Sequence, residues 1–187
     1  MAYYDDIDNV EQYIRMAAEY DGKLLVDAIG NFLAYGSRVL ELGMGPGKDT
    51  LMLNQHYQVI GSDSSTVFVE RFRKLHPNIR VELLDAITLE TEDQYQGIYS
   101  NKVLYHLTRD ELLASFRRQA RVLTKGGIAL HSFWHGDEEG EHQGLHFAYY
   151  SEDSLKALIG SEYNILDTRK YTEIESDDSF YIVLRKR

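Results

Sequence analysis

The chain has no cysteine, which excludes disulfides, thiolate zinc sites and cysteine nucleophiles together. It has two prolines, too few for a Pro-rich linker. No run approaches the ~20 consecutive apolar residues a membrane helix needs. The start, Met1-Ala2-Tyr3-Tyr4-Asp5-Asp6, has neither a basic segment nor an apolar one, so no secretory signal is expected and a cytoplasmic location is the default. Positive charge is also scarce: 20 Lys and Arg against 30 Asp and Glu leave a net charge of −10. Such a surface repels phosphate backbones, so neither nucleic acid nor a membrane is an expected partner. The dense basic runs, Arg117-Arg118 and Arg185-Lys186-Arg187, read as solvated surface.

What is present is one domain's worth of globular chain. At 187 residues, 43% of them hydrophobic, it can bury a sizeable core. Residues 7–20 place Ile7, Val10, Ile14 and Ala17 at helical spacing, and 24–33 give a second amphipathic helix. Strands are expected at 38–42, 58–62, 79–84, 97–100, 128–134, 163–172 and 180–184. Helices are expected at 50–55, 67–75 and 109–123, the last with a capping box from Thr108 and Glu111, and a short one follows Ser151. Gly126-Gly127 reads as a turn and 135–146 as an acidic, Gly- and His-rich loop. Alternating strands and helices predict an α/β fold: a doubly wound, mostly parallel seven-stranded sheet with helices on both faces. The last two strands have no helix between them, so they pair as a C-terminal antiparallel hairpin. The expected organisation is one domain over 1–187, with N-terminal helices in 1–36 and the core sheet in 37–187.

The chemistry concentrates in Glu41-Leu42-Gly43-Met44-Gly45-Pro46-Gly47, between a strand and a helix, where open α/β sheets bind ligands. The dinucleotide fingerprint G-x-G-x-x-G would need glycine where Lys48 stands. A phosphate loop would need glycine and Ser or Thr where Leu42 and Asp49 stand. Asp63 ends the second strand, placed to accept from a ribose diol, or to cap the next helix. Asp85 follows the third strand, where it can accept from an adenine amine, or serve as a turn residue. Glu41 can face a cationic amine or bond the loop's own amides.

Val39 to Gly47 resembles motif I of class I S-adenosylmethionine-dependent methyltransferases, V-L-E-L-G-x-G-x-G. Asp63 and Asp85 match that family's acidic residues after the second and third strands. Ser100 to Leu107 resembles its fourth-strand motif in the small-molecule branch. Arg121 to Gly127 resembles its L-x-P-G-G turn, with Lys125 where proline is common. The resemblance implies S-adenosyl-L-methionine as donor, S-adenosyl-L-homocysteine as product and a small-molecule acceptor. It implies donor contacts from Glu41, Gly43, Gly45, Gly47, Asp63, Ser64, Asp85, Ala86 and Asn101. The N-P-P-Y signature of amino methylation is absent, since Asn101 is followed by Lys102-Val103-Leu104.

His106, after the fourth strand, is a candidate base, with a packed or capping histidine as the rival reading. Tyr13, Tyr20, His135 and His146 are candidate acceptor contacts. No metal is expected: His142 and His146 are four apart, but Gly140 and Gly144 argue against a helix between them. Two segments, 3–20 and 135–146, are available as lids. Rival functions are an NAD-linked oxidoreductase and a binding module without turnover. The partner besides the acceptor would be at most a second copy, as monomer or homodimer.

Overall fold

Each apolar run read as a strand is a strand in the computed structural model, which describes residues 3–142 and 144–187. Met1 and Ala2 of the expected N-terminal segment and Gln143 of the expected 135–146 loop lie outside the described residues. Arg38–Leu42 (β1), Gln58–Asp63 (β2), Val81–Leu83 (β3), Tyr95–Asn101 (β4) and Leu123–Trp134 (β5) are parallel. Tyr163–Tyr171 (β8) and Ser179–Lys186 (β9) form the antiparallel hairpin, and β9 pairs antiparallel with β5. The sheet order is β3-β2-β1-β4-β5-β9-β8. The order turns back between β1 and β4, the switch point at which such sheets open a crevice. From Val39 to Leu42 the central strand is buried throughout, because helices cover both of its faces.

One face carries Leu40, Ile98 and Phe133 against Leu112 and Phe116 of Arg109–Val122 (α5) and Leu155 of Glu152–Leu158 (α6). The other carries Val39, Tyr99 and Leu130 against Leu25 and Ile29 of Lys23–Ile29 (α2) and Leu53 of Lys48–Leu53 (α3). Thr66–Leu75 (α4) packs Val69 and Phe72 on Met44 and Val81. Ile7–Met16 (α1) starts at Asp6, whose carboxylate accepts from the amides of Asp8 and Asn9. The helix expected over 7–20 ends at Met16 and passes into a 3₁₀ turn at Ala17–Glu19.

Two segments depart from expectation. Gly126-Gly127 lies inside β5: between the pairs Tyr95–Leu123 and Gly97–Ile128, β5 advances five residues while β4 advances two. Gly126, at φ +77°, absorbs the surplus as an irregularity in the strand. The 135–146 segment is largely a small antiparallel hairpin, Glu139–His142 (β6) with Leu145–Ala148 (β7). It packs on the 3₁₀ turn Leu104–His106 that follows β4. Among the described residues no helix is long and apolar enough to cross a membrane.

Candidate active site

At the tip of β1 the chain turns three times through left-handed glycines: Gly43 at φ +64°, Gly45 at +51° and Gly47 at +82°. Two of them also need to be bare. A Cβ on Gly43 would stand 2.5 Å from the Val103 methyls, and one on Gly47 2.1 Å from the Phe72 ring. Gly45 differs, since a Cβ there would meet only the ring of Tyr13, at 3.6 Å. Among the loop's three glycines it is the one at which Tyr13 alone closes off the space a side chain would take. The Met44 amide donates to Ser62 O at 2.8 Å, fastening the loop to β2. Asp63 holds the loop's far side: Oδ2 accepts from the Gly45 amide and Oδ1 from the Ser65 amide, both at 2.9 Å.

Three carboxylates gather beneath this loop. Glu41 is 3% exposed and accepts from Thr50 Oγ1. Burial and then neighbouring Asp49 push its carboxyl well above the usual range. Asp49, in the first turn of α3, accepts from the Gly22 amide at 2.9 Å, Tyr99 OH at 2.6 Å and Asn101 Nδ2 at 3.0 Å. Burial raises Asp63 as well, against the lowering effect of its backbone donors. Among the described residues, no Lys, Arg or His forms an ion pair with any of the three. Burial thus disfavours the ionised forms of Glu41 and Asp63, and a bound cation would favour them. A sulfonium beside an ammonium supplies such charge, so the donor set fits S-adenosyl-L-methionine.

The remaining expected residues fall into two groups. Asn101 joins the cluster, with Nδ2 on Asp49 and Oδ1 accepting from Ser132 Oγ at 2.8 Å. Tyr13 lies over Gly45, its hydroxyl pushed up to about 12 by burial and then by Asp63 and Asp49. His106 Nδ1 lies 2.8 Å from His146 O. A carbonyl only accepts, so Nδ1 carries the proton and the neutral ring keeps its lone pair on Nε2. Burial holds this imidazole below its ordinary pKa. Asp85 is exposed, and its Oδ1 accepts from the Ile87 and Thr88 amides at 2.7 and 2.9 Å, so it caps the turn it begins. Ser64 is exposed, and Ala86 is half-buried with its carbonyl accepting from Ser115 Oγ at 2.6 Å.

Tyr20 is 44% exposed, and the atom that it contributes to the site's frame is its carbonyl. His135 donates its amide to Asp178 O at 2.7 Å and sets its ring edge against Phe180. His146 Nε2 is buried with no hydrogen-bond partner, 3.9 Å from Glu139 Oε1. Among the described residues no group of three His, Cys, Asp or Glu stands close enough to share a metal.

Sequence reasoning missed Asp49, Gly22, Lys48 and Lys102. Lys48 Nζ donates to the carbonyls of Ala17, Ala18 and Tyr20, clasping the end of the N-terminal helical segment. Gly22 is bare by necessity, because a Cβ would stand 2.1 Å from Asp49 Oδ2. Lys102 adopts φ +53° directly after β4. Its ammonium lies 3.2 Å from the Trp134 ring centroid, 2.6 Å from Ser179 Oγ and 2.9 Å from Glu173 Oε2. Burial lowers its pKa, against the opposing effect of Glu173. The residue type was the available signal: a lysine at a strand tip, among aromatics, in an acidic chain.

Residues 39–127 match the family described as "Methyltransferase domain". A trans-aconitate 2-methyltransferase of Variovorax paradoxus is 31% identical over 115 residues, 59% of this chain and 44% of that protein. The chain spans under half the length of the curated relatives it matches. The N-methyltransferase NodS of Bradyrhizobium japonicum, solved with S-adenosyl-L-homocysteine, superposes with a TM-score of 0.71 at 16% identity, over 96% of this chain and 99% of that one. A 1,6-didemethyltoxoflavin-N1-methyltransferase of Burkholderia thailandensis, solved with its namesake compound and S-adenosylhomocysteine, gives 0.72 at 17%, over 100% and 91%. At such identities the superpositions speak for the fold. By its matched domain, its sheet order and its glycine loop, the chain is similar over residues 39–127 to methyltransferase domains and shares the fold of these solved methyltransferases.

Proposed function

We propose that the protein transfers the methyl group of S-adenosyl-L-methionine to a small-molecule acceptor, releasing S-adenosyl-L-homocysteine. The observation that carries this reading is the trio Glu41, Asp49 and Asp63, buried without a cationic partner beside a glycine loop in which a Cβ on Gly45 would meet only the Tyr13 ring. The bound donor supplies an activated methyl group, so the protein's work is alignment and exclusion of water. In this reading Asp63 turns its remaining lone pairs to the ribose diol, and Glu41 lies behind the glycine loop facing the amine. Gly45 brings the ligand to the backbone, Gly43 and Gly47 shape the loop around it by packing on Val103 and Phe72, and Asn101 braces its methionine end through Asp49. Ser64, Asp85 and Ala86 line the nucleoside side. His106, with Nε2 free to accept, is the base where the acceptor must lose a proton. Tyr13 and His146 border the acceptor, and Tyr20 and His135 support that wall through their backbone.

The curated relatives act, by name, on trans-aconitate, and the solved neighbours hold the spent donor. Both support a small acceptor and this cofactor. The net charge of −10 favours a small molecule over nucleic acid. We further take 1–36 as a cover on the core domain 37–187, working as monomer or homodimer in the cytoplasm.

Calorimetry with S-adenosyl-L-homocysteine tests the reading. Wild type binds. Gly45→Val, which forces a β-branched residue to φ +51° and into the space under Tyr13, loses at least ~10-fold in affinity. A folded wild type that binds neither S-adenosyl ligand overturns it.

A further inference from the structure

Lys102 is left without a task by that reading, yet the fold invests in it. A non-glycine residue at φ +53° is strained, and strain persists where the surroundings impose it. The side chain is 11% exposed, and its box is assembled from four strand ends at the carboxyl edge. Lys102 follows β4, Trp134 ends β5, Tyr171 ends β8 with its ring centroid 5.5 Å from the ammonium, and Ser179 begins β9. The box adjoins the donor cluster, since Asn101, the residue before Lys102, donates to Asp49. As a brace it would be a poor choice, because desolvating both charges of a Lys–Glu pair offsets their attraction.

Glu173 itself does not depend on the pair. Its turn is held by Asp178, which accepts the amides of Glu173, Ile174 and Glu175 at 2.8–2.9 Å. The turn therefore keeps its shape if Glu173's carboxylate lets go.

We infer that Lys102 is an acceptor-recognition residue and that the acceptor carries a carboxylate, which takes the place that Glu173 Oε2 fills beside the ammonium. The inference rests on the methyltransferase reading and names its substrate class. The internal occupant is itself the argument for a carboxylate, because the site already accommodates that group. Ser179 Oγ offers a second polar contact. Trp134 and Tyr171 supply flat walls for a carbon skeleton. The cation also screens an anionic acceptor from Glu41, Asp49 and Asp63, which would otherwise repel it.

The probes are trans-aconitate, citrate and benzoate, with the trimethyl ester of trans-aconitate as the uncharged control. Each is titrated calorimetrically into protein saturated with S-adenosyl-L-homocysteine. At least one acid binds the wild-type complex. Lys102→Met weakens that acid by ~10-fold or more, the loss of a charge-assisted hydrogen bond, and Lys102→Arg restores part of it. Glu173→Gln tightens the acid, because the internal competitor is gone, an effect that a merely bracing pair would not produce. The ester distinguishes none of the variants, and S-adenosyl-L-homocysteine binds all of them alike. Equal affinity of the acid for wild type and Lys102→Met, weaker binding in Glu173→Gln, or no acid binding to the wild-type complex overturns the inference and leaves the donor assignment standing. Failure of wild type to bind S-adenosyl-L-homocysteine overturns both. Should Lys102→Met not fold, the Glu173→Gln titration decides.

Discussion

Asp63 gives one oxygen to the Gly45 amide and the other to the Ser65 amide, and each oxygen keeps a lone pair for a donor outside the chain. Removing it therefore acts twice. Asp63→Ala leaves two loop amides without their acceptor, costing roughly 1–3 kcal/mol of stability. It should also lower affinity for S-adenosyl-L-homocysteine by roughly 10- to 150-fold. Asp85→Asn should cost less on both counts. An amide oxygen can still cap the Ile87 and Thr88 amides, and the side chain is exposed. Denaturant unfolding and calorimetry on both variants check this, and an Asp85→Asn more damaging than Asp63→Ala would reverse the ribose and adenine assignments. Glu41, the glycines and Asp63 were legible because they are contiguous with a strand–turn–helix pattern. Asp49 was not, because its partners Gly22, Tyr99 and Asn101 lie 27, 50 and 52 residues away and meet only once the sheet is built. Lys102 was hidden for the same reason, since Trp134, Glu173 and Ser179 come from other strands.

The N-terminal element, 3–20, is held by polar clasps more than by burial. Lys48 Nζ binds its last carbonyls, Gly22 N binds Asp49, Ser65 Oγ donates to Tyr4 O, and Arg71 pairs with Glu11. Tyr4 and Tyr13 pack edge-on with each other and lie against Phe68, ring centroids 5.5–5.9 Å apart. Val10 is the buried residue of α1, while Ile7 and Met16 are each 65% exposed. An element with so little buried apolar surface opens at low free-energy cost. Lys48→Met and Gly22→Ala should each speed amide exchange across 7–20 without lowering the protection of β1 and β4. In wild type, S-adenosyl-L-homocysteine should slow exchange there, as expected of a lid. Unchanged exchange across 3–20 at saturating ligand would make the segment fixed scaffold. Helices and strands of the core were legible from apolar spacing, down to the Thr108–Glu111 capping box. The β6–β7 hairpin was not, because Glu139, Glu141 and His142 face solvent and leave no alternation to read. The Gly126-Gly127 irregularity was mistaken for a turn, because the same residues serve both and only the register against β4 distinguishes them.

Across the whole molecule, the terminal hairpin follows from chain order, because no helix separates the last two strands, so it could be read before any contact was known, whereas the strand order came only with the structure. The response to acid could not be read either, because it depends on which histidines the core encloses. His131 lies in β5 with its ring 5.8 Å from that of Phe116 on α5, Nδ1 2.8 Å from Ser100 Oγ and Nε2 buried without a partner. Burial pushes its pKa down to about 3. An unfolded chain protonates the same ring near ~6.5, so below that pH the unfolded state binds the extra proton. The neutral ring's contribution is therefore complete above ~6.5 and drains away as pH falls toward 3, with a limiting slope of about 1.4 kcal/mol per pH unit. His106, also lowered by burial, acts in the same direction. Replacing His131 by Asn keeps a polar group near Ser100 and removes the titration. The variant should be less stable than wild type near neutrality, and the gap should narrow as pH drops from 7 to 5. Urea unfolding of both proteins at several pH values measures that gap. A gap that stays constant, with both curves falling in parallel, would mean that the imidazole is hydrated or protonated in the folded core and that the acid response comes from elsewhere.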